Sequence, residues 1–181
     1  MSTHGQTGRL AGALVCALGL AACENGLGTQ QGFEPAQPIA YSHALHAGQF
    51  QMDCKYCHFG SQTSRHAGVP PASVCMGCHA QVKKDSPEVQ KIAQAVATNT
   101  PIEWVKVHRL PDFAYFNHAS HIAADLACQT CHGPVQQMVR VRQQETMTMG
   151  WCLECHRRTE LETAKDAKPK KPPTDCSACH R

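Results

Sequence analysis

No stretch of this 181-residue sequence stays apolar long enough to cross a bilayer, because a spanning helix needs about 20 such residues. The longest run, from Leu10 to Ala22, has thirteen. An excess of charge of one sign is also missing. Seventeen Lys and Arg face 14 Asp and Glu, a formal +3 that falls to +2 once Arg9 in the leading segment is set aside. That balance gives no argument for a nucleic-acid partner. Amphipathic periodicity is nearly absent too. One helix is expected near 86–98, with Ser86 as N-cap, Pro87 at the first helical position, Val89, Ile92, Ala93 and Val96 on one face, and Asn99-Thr100-Pro101 as its end. Such a chain has little with which to build a side-chain core.

What it has instead is 12 Cys and 12 His. Ten of the cysteines fall into five Cys-x-x-Cys-His motifs: Cys54/Cys57/His58, Cys75/Cys78/His79, Cys128/Cys131/His132, Cys152/Cys155/His156 and Cys176/Cys179/His180. This is the attachment spacing of a c-type haem. The two thiols add across the two vinyl groups, and the adjacent His reaches the iron as an axial ligand. A zinc ribbon does not require His after the second Cys, and a redox dithiol seldom recurs five times in a small chain. Five covalently bound haem c groups are therefore expected, with His58, His79, His132, His156 and His180 on the iron. There is no Cys-x-x-Cys-Lys motif, which counts against a catalytic multihaem reductase.

The remaining cysteines, Cys16 and Cys23, lie in the leader. The run Leu10–Ala22 has the length of a signal-peptide core and ends in Leu20-Ala21-Ala22-Cys23. This is the pattern of a bacterial lipoprotein, in which Cys23 becomes the lipidated first residue. Plain cleavage near Ala22 is the alternative. Export agrees with the haem motifs, since bacteria attach haem c on the exported side of the membrane. Removing residues 1–22 leaves 159 residues, roughly 32 per haem, too few for a large core of side chains. The expected fold class is a multihaem cytochrome c with little regular secondary structure, short α-helices and long loops wrapped around five c-haems.

An internal repeat sets the organisation. Tyr41-Ser42-His43-Ala44-Leu45-His46 precedes Cys54, and Phe116-Asn117-His118-Ala119-Ser120-His121 precedes Cys128, each ahead of two haem motifs. The chain divides into a signal peptide (1–22), a flexible spacer after Cys23 (23–37), a first dihaem unit (38–80) and a helical connector (81–112). A second dihaem unit (113–158) and a Lys/Pro-rich tether carrying the fifth haem (159–181) complete it. Beyond the leader's His4, six histidines are left for the opposite axial positions. Pairs at i, i+3 put two imidazoles on one side of a short helix, where they reach two different haems; this selects His43, His46, His118 and His121. His108 is added as a fifth ligand, and His66 reads as a solvent-facing loop residue. Met138, Met147 and Met149 are alternatives for one iron. Trp104, Trp151, Tyr115 and Phe116 are expected to pack on porphyrins.

The aromatic-x-His-x-x-His pattern ahead of each motif resembles the class III multihaem cytochromes. More narrowly, Tyr41–Cys57, Val107–His118 and Met147–Arg157 resemble the pentahaem cytochrome c subunit of bacterial alternative complex III. The resemblance covers residues 38–158, and Leu110-Pro111-Asp112-Phe113 and Met149-Gly150-Trp151-Cys152 are its most specific parts. It implies a non-enzymatic electron relay at the periplasmic face of a quinol-oxidising complex. The relay takes electrons from an iron–sulfur subunit and passes them to a monohaem cytochrome c or a terminal oxidase. Members of that family usually begin with a membrane-spanning helix, whereas this chain begins with the short run ending at Cys23. Membrane association would then come from a lipid anchor and partner subunits, with no nucleic acid involved. The alternative is a stand-alone periplasmic pentahaem shuttle that feeds a reductase such as nitrite reductase.

Overall fold

Short acceptor side chains stand immediately before several of the cysteine and histidine motifs, and they start the helices. The computed structural model describes residues 30–158 and 171–180. The signal peptide, Cys23, residues 24–29 of the spacer and most of the tether lie outside the described residues. Among the described residues there are seven α-helices: α1 Cys54–Cys57, α2 Ala72–His79, α3 Pro87–Ala97, α4 His118–Ala123, α5 Gln129–His132, α6 Met149–Arg158 and α7 Cys176–Cys179. Asp53 caps α1 by accepting from the Lys55 N–H, Asn117 caps α4 through the Ala119 N–H, and Asp175 caps α7 through the Ala178 N–H. Each cap satisfies one of the amides that a helix start leaves unpaired. The histidine pair of the first unit lies instead on a π-helical turn, Ala44–Gln49, with His43 at its start. No helix among the described residues is long and apolar enough to cross a membrane, and most of the remaining chain is loop.

The helix expected near 86–98 is α3. Ser86 occupies its cap position without a side-chain hydrogen bond, and Pro87 starts it. Val89 and Ile92 are buried, whereas Val96, expected on the same face, is 44% exposed. The covered face is thus confined to the first two turns, where Glu88 Oε2 accepts from the Ala40 N–H at 2.8 Å and bonds α3 to the first unit.

The two units trade backbone contacts. In the first, the loop after His58 turns back, and the carbonyls of Ser64 and Arg65 accept from the Ala119 and His118 N–H groups at the start of α4. In the second, the loop after His132 does the same in return: the Met138 carbonyl accepts from the Ala44 N–H at the start of the π-turn. Gly48 sits so close to the Gln136 carbonyl that any Cβ there would collide with it. The units 38–80 and 113–158 are therefore built into one another. The C-terminal motif is fastened to the second unit by an isolated antiparallel bridge between Ala114 and His180 and by the Tyr115 N–H donating to the Cys179 carbonyl at 2.7 Å.

The side-chain core is small. Among the described residues the buried apolar side chains are Ile39, Val89, Ile92, Val107 and Met138. Phe50, Tyr56, Phe59, Phe113, Val139 and Met149 are more than half exposed. That is unusual for aromatic and large aliphatic groups in a chain with so little else to bury.

Candidate metal centre

Two imidazoles that bind one iron from opposite sides, each through a nitrogen about 2 Å from the metal with its ring centre about 1.1 Å behind, have ring centres roughly 6.3 Å apart. The structure contains four histidine pairs at that spacing. His43 and His58 are 6.4 Å apart with planes 5° from parallel, and His118 and His132 are 6.3 Å apart at 8°. His46 and His79 are 6.1 Å apart at 63°, and His121 and His156 are 6.0 Å apart at 35°. Each pair joins a motif histidine to one histidine of an i, i+3 pair, and each i, i+3 pair serves two motifs.

The far side of each ring fixes which nitrogen faces its opposite number. Seven Nδ1–H groups donate to backbone carbonyls: His46 to Ser42 (2.9 Å), His58 to Gly68 (2.6 Å), His79 to Val82 (2.9 Å), His118 to Arg65 (2.8 Å), His121 to Asn117 (2.8 Å), His156 to Pro173 (2.7 Å) and His180 to Phe113 (3.2 Å). A carbonyl can only accept, so in the neutral ring the proton is on Nδ1 and the Nε2 lone pair is free to bind metal. His43 Nδ1 is buried without a partner. Burial, reinforced by neighbouring imidazoles, pushes His43 down to about 4 and His132 to about 3, and lowers His121. These rings are neutral, as metal ligands must be.

This donor set fits haem better than the other uses of cysteine. Among the described residues no three of His, Cys, Asp and Glu gather where a single ion could be held, whereas zinc needs four donors around one point. None of the ten motif cysteines is paired in a disulfide. The exposed aromatic and aliphatic side chains supply the apolar surface that a porphyrin would cover. Tyr41 lies against His43 and His46 at 4.8 and 4.4 Å, and Phe116 lies against His118 and His121 at the same two distances. Burial, with Cys57 and Cys75 nearby, raises the Tyr41 hydroxyl to about 12, so it stays protonated.

Neighbouring sulfurs link one motif to the next. Cys54 is raised by burial and then by Cys128, which belongs to the other unit. Cys57 is raised by burial and then by Cys75 and Cys78. Cys131 is pushed up to about 11 by burial and then by Cys155 and Cys152, and Cys152 has Cys179 beside it.

The structure does not place His108 where an axial ligand would be. Its Nε2 lies 3.3 Å from His132 Nδ1, behind that ring, and the two planes meet at 83°. The reason is local: the Gln37 amide donates to the Val105 carbonyl and accepts from the Val105 N–H, both at 2.9 Å. That clamp ties the strand-like segment to Gln37, just ahead of the first unit, while His108 reaches His132 in the second. His180 packs against Phe113 at 5.8 Å and faces no second histidine at the pair spacing among the described residues. His66 is exposed, as its loop sequence suggests. Met138 is buried and its carbonyl serves the π-turn, Met149 is 66% exposed, and Met147 turns the chain at φ 52° into α6. Of the four aromatics expected on porphyrins, Phe116 packs edge-on against His118 and tilted against His121, and Tyr115 lies under the Arg65 guanidinium at 4.4 Å. Tyr41, its counterpart in the first unit, is the residue that reading missed, although the aromatic-x-His-x-x-His repeat marks it.

Over 97 residues, 53% of this chain, the sequence is 34% identical to the menaquinone reductase multiheme cytochrome c subunit of Nitratidesulfovibrio vulgaris strain Hildenborough. The matched part spans 45% of that relative's length. Residues 114–181, which contain the motifs at Cys128, Cys152 and Cys176, match the family described as cytochrome c7 and related cytochrome c.

Proposed function

We propose that the chain is a non-enzymatic electron-transfer subunit holding five covalent haem c groups, one at each Cys-x-x-Cys-His motif. When bound, haem supplies a reversible one-electron iron couple. The observation that carries the reading is the set of four opposed histidine pairs with ring centres 6.0–6.4 Å apart. At these four sites two imidazoles per iron would leave no open position, which suits electron passage and disfavours substrate binding.

The sulfur neighbours support an order for the attachment sites: Cys75/Cys78, Cys54/Cys57, Cys128/Cys131, Cys152/Cys155, Cys176/Cys179. The i, i+3 pairs bridge the first and second sites of this row and the third and fourth, and Cys54 and Cys128 are electrostatic neighbours across the units. The row departs from chain order at one end only, so α2 and α7 would face the donor and acceptor.

The complex we favour is quinone-linked and of the alternative complex III type, at the periplasmic face of the cytoplasmic membrane. An iron–sulfur subunit would donate, and a monohaem cytochrome c or terminal oxidase would accept. Cys23 lipidation and the partner subunits would hold the chain at the membrane. The menaquinone reductase relative favours a second reading, in which the same row carries electrons toward quinone. Purifying the native assembly from membranes, identifying its subunits by mass spectrometry and assaying it in both directions separates the two. The expected result is quinol oxidation coupled to cytochrome c reduction. Menaquinone reduction alone would select the second reading, and a free periplasmic protein without partners would select the shuttle. Fewer than five haems by intact mass would sink the proposal as a whole.

A further inference from the structure

Of the nine histidines assigned above to axial positions, only His132 has its Nδ1 directed at another side chain. His108 Nε2 stands 3.3 Å away, on a segment fixed by the two-way Gln37–Val105 amide clamp and by buried Val107 next to it. If His132 gives its Nε2 to iron, its Nδ1 must carry the ring's hydrogen and donate it. His108 then accepts through Nε2 and carries its own hydrogen on Nδ1. An imidazole nitrogen is a far stronger base than a peptide carbonyl, since its conjugate acid has a pKa of about 6.5, while an amide oxygen is protonated only in strong acid. A stronger acceptor draws the Nδ1 hydrogen away and gives His132 more imidazolate character. That makes it a better donor to ferric iron than to ferrous iron.

We propose that His108 is a positioning residue that accepts the His132 Nδ1 hydrogen bond, fixes that ring opposite His118, and lowers the reduction potential of the Cys128/Cys131 site relative to a carbonyl-held site. The inference rests on the reading of His132 as an iron ligand. It gives the middle site of the row, where the two units meet, a setting distinct from its counterpart at Cys54/Cys57, whose His58 donates to the Gly68 carbonyl.

The test uses the full-length holoprotein with His108→Leu, which removes the acceptor, and His108→Gln, which offers an amide oxygen in its place. Haem count is read by intact mass, spin state by electron paramagnetic resonance and potentials by optical redox titration. The expected result is five haems and an unchanged low-spin envelope in both variants. One midpoint should rise in His108→Leu by about tenfold in the reduction equilibrium, roughly 59 mV for one electron. His108→Gln should fall between wild type and His108→Leu, and the other four midpoints should stay in place. A new high-spin signal in the variants would overturn the proposal by making His108 an axial ligand, while leaving the electron-transfer reading intact. Five unmoved midpoints would overturn it as well. A wild-type protein with no haem on Cys128 and Cys131 would remove both this inference and the reading beneath it.

Discussion

In the first unit Tyr41 lies 4.8 Å from His43 and 4.4 Å from His46; in the second, Phe116 lies at the same distances from His118 and His121. The near-parallel pairs match, 6.4 Å at 5° against 6.3 Å at 8°, and the tilted pairs match in distance, 6.1 against 6.0 Å. What lies behind the near-parallel rings does not match. His118 Nδ1 donates to Arg65 while His43 Nδ1 has no partner, and His132 turns to His108 where His58 has the Gly68 carbonyl. The duplicated sequence thus repeats the spacing of the rings and the carbonyl behind each second histidine, but not the partners behind the near-parallel pairs. Identical axial ligands give different potentials when their outer partners differ. A row of repeated bis-histidine sites can therefore have a gradient without a change of ligand.

Replacing an axial histidine is the harshest way to break this likeness. His43→Met and His118→Met should each convert one bis-His site to His/Met and raise one midpoint on the order of 0.2 V, a fraction of the about 0.8 V that axial ligation spans. Each should also remove one rhombic low-spin signal. Near-parallel imidazoles donate into the same iron d orbital and split its partner away, whereas the 63° pair at His46 and His79 splits them less. Redox titration and low-temperature electron paramagnetic resonance read both effects. Unchanged spectra in either variant would mean that the opposed pair at that site is not an axial pair.

Much of this site was legible in residue types. The motifs name five histidines, and the i, i+3 spacing picks out the residues that the structure sets opposite four of them. The helix at Pro87–Ala97 was equally visible, because Pro87 and the apolar spacing are local signals. The exchange of caps between units was not, because the acceptors are carbonyls of Ser64, Arg65 and Met138, and any residue type carries a carbonyl. His108 was visible as a histidine with a role, but its side of the second unit depends on the Gln37–Val105 clamp, 68 residues apart in sequence. Spacing along the chain carries no information about such a contact.

Gly48→Ala breaks the comparison more gently. The equivalent position in the second unit, five residues after the first histidine, is already Ala123, so the change makes the sequences more alike. In the first unit, however, the Gln136 carbonyl fills the space, and the π-turn would have to move away from the second unit. The expected cost is about 1–3 kcal/mol, as for overpacking elsewhere, read as a lower denaturation midpoint of the holoprotein. Ala123→Gly should cost only about 0.5–1 kcal/mol from backbone entropy. Equal losses would mean that the two units do not meet at Gly48 and Gln136.

The mildest test concerns the residue before each first histidine. Asn117 accepts from the Ala119 N–H at 3.0 Å, and Ser42, its equivalent, accepts from the Leu45 N–H at 3.2 Å. Both also present the backbone carbonyl that holds the second histidine's Nδ1, which substitution by alanine retains. Asn117→Ala should therefore cost about 1 kcal/mol, the usual loss of a helix cap. Ser42→Ala should cost less, because its bond is longer and the Ala44 N–H is already satisfied by Met138 from the other unit. Guanidinium unfolding of the two holoproteins measures the difference. If Ser42→Ala proved the costlier change, the π-turn would depend on its own side chain more than on the second unit, and the exchange of caps would stabilise only α4.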